Sequence, residues 1–221
     1  MNLKKAGLIA GLTSLLMANS AIAGLISVSD PSGSSVGGTA AIIAAPSQVL
    51  NGNVSNRAQQ GFDEQQGVTL GAALSVDGGS IAAGTTVDSH MIFLNRGGNT
   101  RIDHNRVTWT FSGTILGVMS DSGGTLEAAS NAILGSLGTT YPGAFNARGL
   151  EGNFTPGSCN FANDCYAVLG NSLTLTMEVT EPGDWIRVVT ASQANVPEPS
   201  SLLILGAGLA GLGLRRRRAV K

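Results

Sequence analysis

The sequence predicts an all-β fold, an antiparallel β-sandwich or jelly-roll-like domain that carries one short helix. The chain has 31 glycines in 221 residues but only 5% aromatic and 12% charged residues, a composition typical of loop-rich β domains. About 170 residues lie between two distinctive terminal segments, which is enough for a single hydrophobic core. The middle of the chain also contains several short segments with the character of strands.

Six segments are rich in β-branched or aromatic residues and are bounded by Gly, Asn or Pro, as strands are. In one of them Leu173, Leu175, Met177 and Val179 alternate with polar residues, which indicates a half-buried strand with one wet face. Residues 24–67 are expected to add one or two early strands separated by long loops. The six predicted strands are 68–76, 85–94, 106–111, 114–119, 172–180 and 184–190.

Turn signals connect these segments. The sequence Glu-Pro-Gly-Asp at 181–184 is a strong turn signal, so residues 172–190 are predicted to form an antiparallel hairpin. Ser112-Gly113 joins its two flanking strands in a similar way. The spacing of apolar residues over 125–134 is helical, and Gly135 can end the helix, so one short helix is predicted there.

The N-terminus has the pattern of a secretory signal peptide. Lys4 and Lys5 precede an apolar run over 6–17, and small residues follow, ending in Ala21-Ile22-Ala23. The alternative is a first buried helix of the domain, but the run is too short to span a bilayer and a cleavage site follows it. Residues 1–23 are therefore predicted to be removed by cleavage after Ala23, which leaves Gly24 as the mature N-terminus.

The C-terminus combines an extended motif, an apolar stretch and a basic cluster. Val196-Pro197-Glu198-Pro199 cannot continue a helix or a sheet ladder, so it should be an accessible peptide. Residues 200–214 are predicted to form a short transmembrane helix of roughly 22 Å, which local bilayer thinning can accommodate. The cluster that follows favours the cytoplasmic side and consists of Arg215, Arg216, Arg217 and Arg218.

The segment 196–221 closely resembles the PEP-CTERM sorting signal of Gram-negative bacteria, which has the same three parts in the same order. The resemblance implies export by the secretion machinery, transient anchoring in the inner membrane and processing by exosortase at the PEP motif. It further implies a final location at the cell surface or outside the cell, with exopolysaccharide as a partner. The same tail is also catalogued as an ice-binding protein C-terminal domain, which describes sorting rather than activity. Segments 87–94, 115–118 and 184–190 look like the bodies of many PEP-CTERM proteins.

Without its terminal segments the chain is acidic. All three lysines and four of the ten arginines lie in those segments, and between Gly24 and Pro197 six arginines face 13 acidic residues, a net charge of −7. Such a surface suits solubility outside the cell and argues against binding to nucleic acid or anionic lipid.

Two local sequences carry candidate covalent chemistry. Cys159 and Cys165 form an isolated close pair, which in an exported protein predicts a disulfide. Half of a metal site is the alternative, although no neighbouring histidine completes four zinc ligands. Asn153 lies in an Asn-Phe-Thr sequon and is a possible glycosylation acceptor, with Glu151 two residues before it.

The histidines and several acidic turns are the other candidates for a site. His90 and His104 follow Asp88 and Asp103 and could bind a metal or form a base with an orienting carboxylate, but hydrogen-bonded structural histidines are favoured. No cofactor is predicted. Calcium is an alternative for three acidic turns, although turn chemistry explains them first. These turns contain Asp77, Asp121 and residues 160–164.

The remaining motifs do not indicate an enzyme. Residues 206–211 match G-x-G-x-x-G inside the apolar tail, and residues 33–37 match G-x-S-x-G without a strand-to-helix elbow. The sequence thus favours a non-enzymatic surface or matrix protein with a structural or adhesive role. The alternatives are a calcium- or glycan-binding module and, third, an exported hydrolase. In a glycan-binding module, sugar rings would stack on exposed aromatic residues such as Trp109, Trp185 or Tyr166.

Overall fold

The computed structural model describes residues 24–52, 55–151, 159–161 and 163–193. The predicted signal peptide and sorting tail lie outside these ranges. The described residues form two larger β-sheets, one small two-stranded sheet and one helix. The elements are β1 (Leu25–Ser29), β2 (Ala41–Ile42), β3 (Gln60–Asp63), β4 (Val68–Thr69), β5 (Leu74–Val76), β6 (Gly79–Ile81), β7 (Thr86–Leu94), β8 (Ile102–Phe111), β9 (Ile115–Met119), α1 (Thr125–Leu134), β10 (Cys165–Leu169), β11 (Ser172–Val179) and β12 (Asp184–Ala191).

Sheet A has the strand order β1-β8-β11-β10, and all its pairs are antiparallel. Sheet B has the order β2-β3-β7-β12-β9, and β4 pairs with β7 as well. Its pairs are antiparallel except for the short parallel pair of β2 with β3. Strands β5 and β6 form a separate hairpin.

The main core lies between the two sheets. Trp109 and Leu175 from sheet A pack in one buried cluster with Ile92 and Val188 from sheet B. Trp109 comes so close to Gly61 on β3 that a Cβ atom there would lie 2.6 Å from its ring. A residue without a side chain is therefore required at position 61 for this contact between the sheets.

Sheet B is buried on its outer face as well. Phe62, Phe93 and Trp185 form a second cluster under Phe145. The β5–β6 hairpin and α1 cover a third cluster on the same face. Strand β12 is consequently buried at seven of its eight residues, whereas β11 in sheet A includes several half-buried positions.

The prediction of a mostly β domain with one short helix is confirmed. Helix α1 has the predicted bounds, and Asp121 stabilises its first turn. The Asp121 carboxylate accepts the backbone N–H groups of Thr125 at 2.8 Å and Leu126 at 3.0 Å. These donors have no partner within the helix, so the aspartate satisfies them from outside it.

The predicted hairpin over 172–190 is wrong. Strand β11 pairs with β8 and β10 in sheet A, whereas β12 pairs with β7 and β9 in sheet B. The turn at 181–184 therefore connects the two sheets, and the turn at Ser112-Gly113 connects β8 to β9 in the same way. The turn chemistry was identified correctly, but it does not decide whether the strands that it joins share hydrogen bonds.

Two further strand predictions need correction. The predicted strand 68–76 is divided into β4 and β5, because the chain turns at 71–72 and its halves pair with different strands. Residues 24–67 contain three strands, β1, β2 and β3, instead of the expected one or two. Strand β2 has only two residues, and β3 has the sequence Gln-Gly-Phe-Asp, so neither has a periodic pattern that can be detected.

Candidate functional site

The outer face of sheet B holds a buried ion-pair network centred on Arg187 of β12. The Arg187 Nε–H donates to Glu64 Oε2 at 2.6 Å, and Nη2 donates to Glu64 Oε1 at 2.7 Å. Nη1 donates to the Glu127 carbonyl oxygen and to Ser130 Oγ, and Nη2 also donates to Asn131 Oδ1. All five N–H donors of the guanidinium group are thus engaged. The network fixes α1 against the sheet.

Helix α1 extends the network to a second arginine. Glu127 accepts a hydrogen bond from Arg148 Nη2, and both side chains are buried. Arg148 Nη1 donates to the carbonyl oxygens of Gly124 and Gly143 at 3.0 and 3.2 Å. The arginine therefore ties the start of the helix to the loop that follows it.

Burial sets the protonation of this network. Burial raises the pKa of Glu127 to about 7, although Arg148 and Arg187 act in the opposite direction. Burial also lowers the pKa of Arg148. For Arg187 the burial effect is outweighed by the Glu64 carboxylate, which raises the pKa of the guanidinium group. Arg187 therefore stays cationic, and protonation near neutral pH is expected at Glu127.

Both histidines are buried and held by hydrogen bonds, as favoured from the sequence. His90 Nδ1 lies 2.7 Å from Asp63 Oδ1 and its Nε2 lies 3.1 Å from Thr190 Oγ1. The aspartate partners are not the sequence neighbours that we expected. Asp88 accepts the Gly67 N–H instead. Residues 88 and 90 lie on the same face of the strand, but two residue lengths separate them, which is too far for a hydrogen bond between their side chains.

His104 is fixed in one tautomer. Its Nδ1 accepts the Gln59 backbone N–H at 2.9 Å, so its Nε2 carries the proton and donates to Asp30 Oδ2 at 2.9 Å. Burial lowers the pKa of His104, against the effect of Asp30. Asp103, the expected partner, is instead paired with Arg101. Each histidine thus joins an early loop or strand to the sandwich.

The acidic turns considered for calcium bind protein groups. Asp77 accepts the hydroxyl groups of Ser120 and Tyr166 at 2.7 and 3.0 Å, and Asp121 caps α1. Asp164 accepts the backbone N–H of Glu178. Within the described ranges, no three His, Cys, Asp or Glu side chains are grouped so that they could hold a metal ion.

One end of the sandwich concentrates acidic side chains, here termed the acidic end: Glu151, Asp164, Glu178 and Asp184. Asp184 is fully buried, and its Oδ2 has no hydrogen-bond partner. Burial, with repulsion from the other three carboxylates, raises its pKa well above the ordinary value. Burial likewise raises the pKa of Asp164 to about 6 and that of Glu151 to about 7. The folded domain therefore holds the Asp184 proton to a higher pH than an ordinary aspartate would.

The aromatic residues considered for sugar stacking are not available to a ligand. Trp109 and Trp185 are completely buried and Tyr166 is 3% exposed. Trp109 Nε1–H donates to Gln59 Oε1 at 3.0 Å, and Tyr166 bonds to Asp77. The expectation that these residues are exposed is wrong, because each belongs to a strand that is covered on that face.

The structure contains the predicted disulfide between Cys159 and Cys165, with a Cα–Cα distance of 5.3 Å. It fixes the chain that leads into β10. Asn153 lies outside the described residues. The G-x-S-x-G match at 33–37 forms a turn, in which Ser34 Oγ accepts the Gly38 N–H and Ser35 Oγ accepts the Asp103 N–H.

An open surface depression of about 360 Å³ lies beside the end of α1, between Asn131 and Tyr141. No helix in the described part of the chain is long and apolar enough to cross a membrane. The sorting residues 196–199, the predicted membrane helix 200–214, the arginines 215–218 and the cleavage residues Ala21 and Ala23 all lie outside the described ranges.

The architecture is that of a β-rich domain stabilised by buried charge and a disulfide, followed at once by the segment with the sorting pattern. A family model described as the PEP-CTERM protein-sorting motif matches residues 195–218. The chain therefore carries a PEP-CTERM sorting motif and is an exported protein subject to exosortase-dependent sorting. Comparison with curated proteins and with solved structures found no match.

Sequence reasoning missed the network on the outer face of sheet B. The sequence shows Arg187 only as one of the six arginines of the domain, and its main partner Glu64 lies 123 residues away in the sequence. One signal was present, since a single arginine inside the apolar run Trp-Ile-Arg-Val-Val suggests a buried, paired charge. Its partners cannot be read from spacing, because they come from other elements.

Proposed function

We propose that this protein is a non-enzymatic component of the cell surface or extracellular matrix, whose β domain has a structural or adhesive role. The observation that carries the proposal is the PEP-CTERM motif at 195–218, directly after the last strand. Residues 1–23 would direct export and would be removed by cleavage after Ala23. The segment 200–214 would then hold the chain in the inner membrane until exosortase acts at Pro197-Glu198-Pro199.

The chemistry of the domain supports a role outside the cell. The domain contains no lysine and has a net charge of −7. This charge favours solubility and gives weak affinity for anionic polymers of the cell interior. The Cys159–Cys165 disulfide suits an oxidising compartment. Both histidines are engaged in hydrogen bonds that connect early segments to the sandwich, which is a structural use of these side chains.

A glycan-binding role is the alternative, and it would require a surface other than the three aromatic residues first considered, because all three are buried. The structural role therefore has the better support. In this account the partner in the matrix is exopolysaccharide, which the domain meets after release.

The test is fractionation of cells that express the unsubstituted protein or the Glu198→Ala variant. We expect the unsubstituted protein, shortened at its C-terminus, at the cell surface or in the medium, and the variant as a larger form in the inner membrane. Glu181→Ala is a matched control because Glu181 also precedes a proline but lies within the domain. Equal size and release of all three proteins would contradict the proposal.

The matrix role needs a second measurement. A strain without the protein should form a matrix that retains fewer cells under flow, and the unsubstituted gene should restore retention while Glu198→Ala should not. A matrix that is unchanged in amount, composition and cell retention would contradict the structural role, even if sorting occurs as expected.

A further inference from the structure

The end of the sandwich where the described chain both begins and ends, here termed the tail end, is formed by two turns and these two chain ends. The Ala191 N–H at the end of β12 donates to the Thr114 carbonyl oxygen at 2.8 Å. The Ser112 N–H donates to the Gly24 carbonyl oxygen at 2.9 Å. The tail end therefore consists of residues 24–27, 111–116, 168–172 and 191–193.

Large apolar side chains are exposed at the tail end. The Ile115 N–H donates to the Gly170 carbonyl oxygen at 3.0 Å, which places the adjacent residues Leu116 and Leu169 on neighbouring segments. Leu169 is 84% exposed, and Leu116 and Val168 are exposed by more than a third. Ile26, which is 61% exposed, lies at the same end on β1.

Charge is distributed unevenly along the sandwich. The segments 24–27, 111–116, 168–172 and 191–193 contain no charged residue, although the domain is acidic. One carboxylate, Asp63, contacts the tail end, because it accepts the Leu25 N–H, and it is also paired with His90. The acidic end lies at the other end of β12, where the strand begins at Asp184. The domain therefore has one apolar end, where the charges are the Gly24 α-amino group left by cleavage and Asp63, and one acidic end.

We propose that the tail end is a membrane-docking surface that contacts the lipid bilayer while the protein is anchored. This inference rests on the proposed function, because it requires the segment 200–214 to be in the membrane. Only residues 194–199 separate Gln193 from that segment, and a chain of this length spans at most about 22 Å. Ser192 is itself tied to Thr86 by a hydrogen bond, so the domain must stay close to the bilayer.

Tethering explains why a small apolar surface is sufficient. Because the chain is already attached, contact with lipid is an intramolecular event with a high effective concentration. The orientation also follows from charge. Anionic headgroups repel the acidic end, whereas the tail end carries the cationic Gly24 α-amino group of the cleaved chain, and its leucine and isoleucine side chains can bury apolar area in the bilayer.

The test is tryptophan fluorescence of the full chain in lipid nanodiscs that hold one copy each, made with phosphatidylethanolamine and phosphatidylglycerol. Leu169→Trp places the probe at the tail end. Leu137→Trp is the matched control because Leu137 is 95% exposed and lies beside the depression at the end of α1. The native Trp109 and Trp185 are completely buried and contribute the same background to both proteins.

We expect lipids with brominated acyl chains to quench the added fluorescence of Leu169→Trp and to leave that of Leu137→Trp unchanged. Equal quenching of the two variants, or quenching of neither, would overturn the docking surface while leaving anchoring intact. If the added tryptophan of Leu169→Trp were buried only in discs that hold two copies of the chain, the surface would bind a second copy. That result would overturn the assignment to lipid. Failure of the unsubstituted chain to enter discs would overturn the anchored state itself.

Discussion

Arg187 illustrates at the residue scale how this domain uses charge in place of apolar packing. Its side chain is completely buried, yet each of its N–H groups has an acceptor and the ring of Tyr141 lies 5.4 Å from its guanidinium carbon. Burying an ion pair is costly, but removing one partner costs more, because the other charge is left without compensation. The stability of the domain should therefore depend strongly on this residue.

We expect Arg187→Met to lower the free energy of unfolding of a chain of residues 24–193 by about 3–5 kcal/mol, because Glu64 would remain buried and unpaired. Urea unfolding measures this difference. Arg101→Met is the matched control because Arg101 also pairs with two acidic residues, but its side chain is 56% exposed, so the loss should be much smaller than that of Arg187→Met. Similar losses in both variants would contradict the assignment of the network as a main source of stability.

Asp184 leads to a prediction about pH. Its pKa is raised in the folded state, so the folded domain keeps a proton that the unfolded chain releases above its ordinary pKa of 3.8. The stabilisation from this proton is present at low pH and is lost as pH rises from about 4 toward the folded pKa, by up to about 1.4 kcal/mol per pH unit. Asp184→Asn should remove that contribution.

The measurement is the free energy of unfolding of the unsubstituted and Asp184→Asn chains of residues 24–193 between pH 4 and pH 8. Relative to the unsubstituted domain, the variant should gain stability steadily as pH rises. His104 and Glu127 also titrate in this range but lie outside the acidic end, so they cancel in the difference, whereas Asp164 and Glu151 interact with Asp184 and contribute to it. A difference that does not change with pH would contradict a raised pKa of Asp184.

At the scale of elements, the two sheets are held together by close contacts that the hydrogen-bond pattern alone does not show. The ring of Trp109 from β8 in sheet A packs directly against Gly61 on β3 in sheet B. An added methyl group would overlap the ring, which is completely buried and cannot move aside freely.

We expect Gly61→Ala to lower the free energy of unfolding by about 1–3 kcal/mol through overpacking. Gly79 is the matched control, because it also lies in a strand but a Cβ atom there would meet no heavy atom within 4 Å. Gly79→Ala should be within about 0.5 kcal/mol of the unsubstituted domain. If alanine were tolerated equally at both positions, the packing of Trp109 on β3 would be contradicted.

The disulfide is a third element-scale feature that can be measured. We expect protein recovered from the periplasm or medium to show no free thiol by intact mass after alkylation without reduction. Alkylation of two cysteines would contradict the bridge. Replacing both cysteines by serine should cost about 2 kcal/mol, because the closed loop is short.

The elements differ in how far the sequence predicts them. The helix 125–134 and the strand 172–179 were predictable because periodicity and turn residues act locally. The pairing of β11 with β8 rather than β12 was not, because a tight turn can connect strands in one sheet or in two. The continuous burial of β12 results from α1, the loops and a second set of strands, which are distant in sequence.

The same distinction applies to the candidate site. The disulfide partners are six residues apart and were predictable, whereas the partner of His104 is 74 residues away and was not. Asp103 is adjacent to His104 in the sequence, but successive side chains of a strand point to opposite faces, and Asp103 pairs with Arg101. Long-range polar partners are therefore the part of the site that requires the structure.

At the scale of the whole molecule, the chain combines a folded domain with segments that direct its location. The domain runs to Gln193, and the PEP-CTERM match begins at residue 195, so sorting information follows the last strand directly. The domain's charge is also polarised, with exposed apolar residues at the tail end and buried acids at the acidic end. Both features suit a protein that passes through an anchored stage.

The most direct test of this account is intact mass combined with terminal sequencing of the protein recovered from the cell envelope and from the medium. The account predicts a surface or extracellular form that begins at Gly24 and ends near Pro197, with any excess mass indicating glycosylation. A single species in the inner membrane that still ends at Lys221 would contradict tail processing and remove the main support for a matrix role.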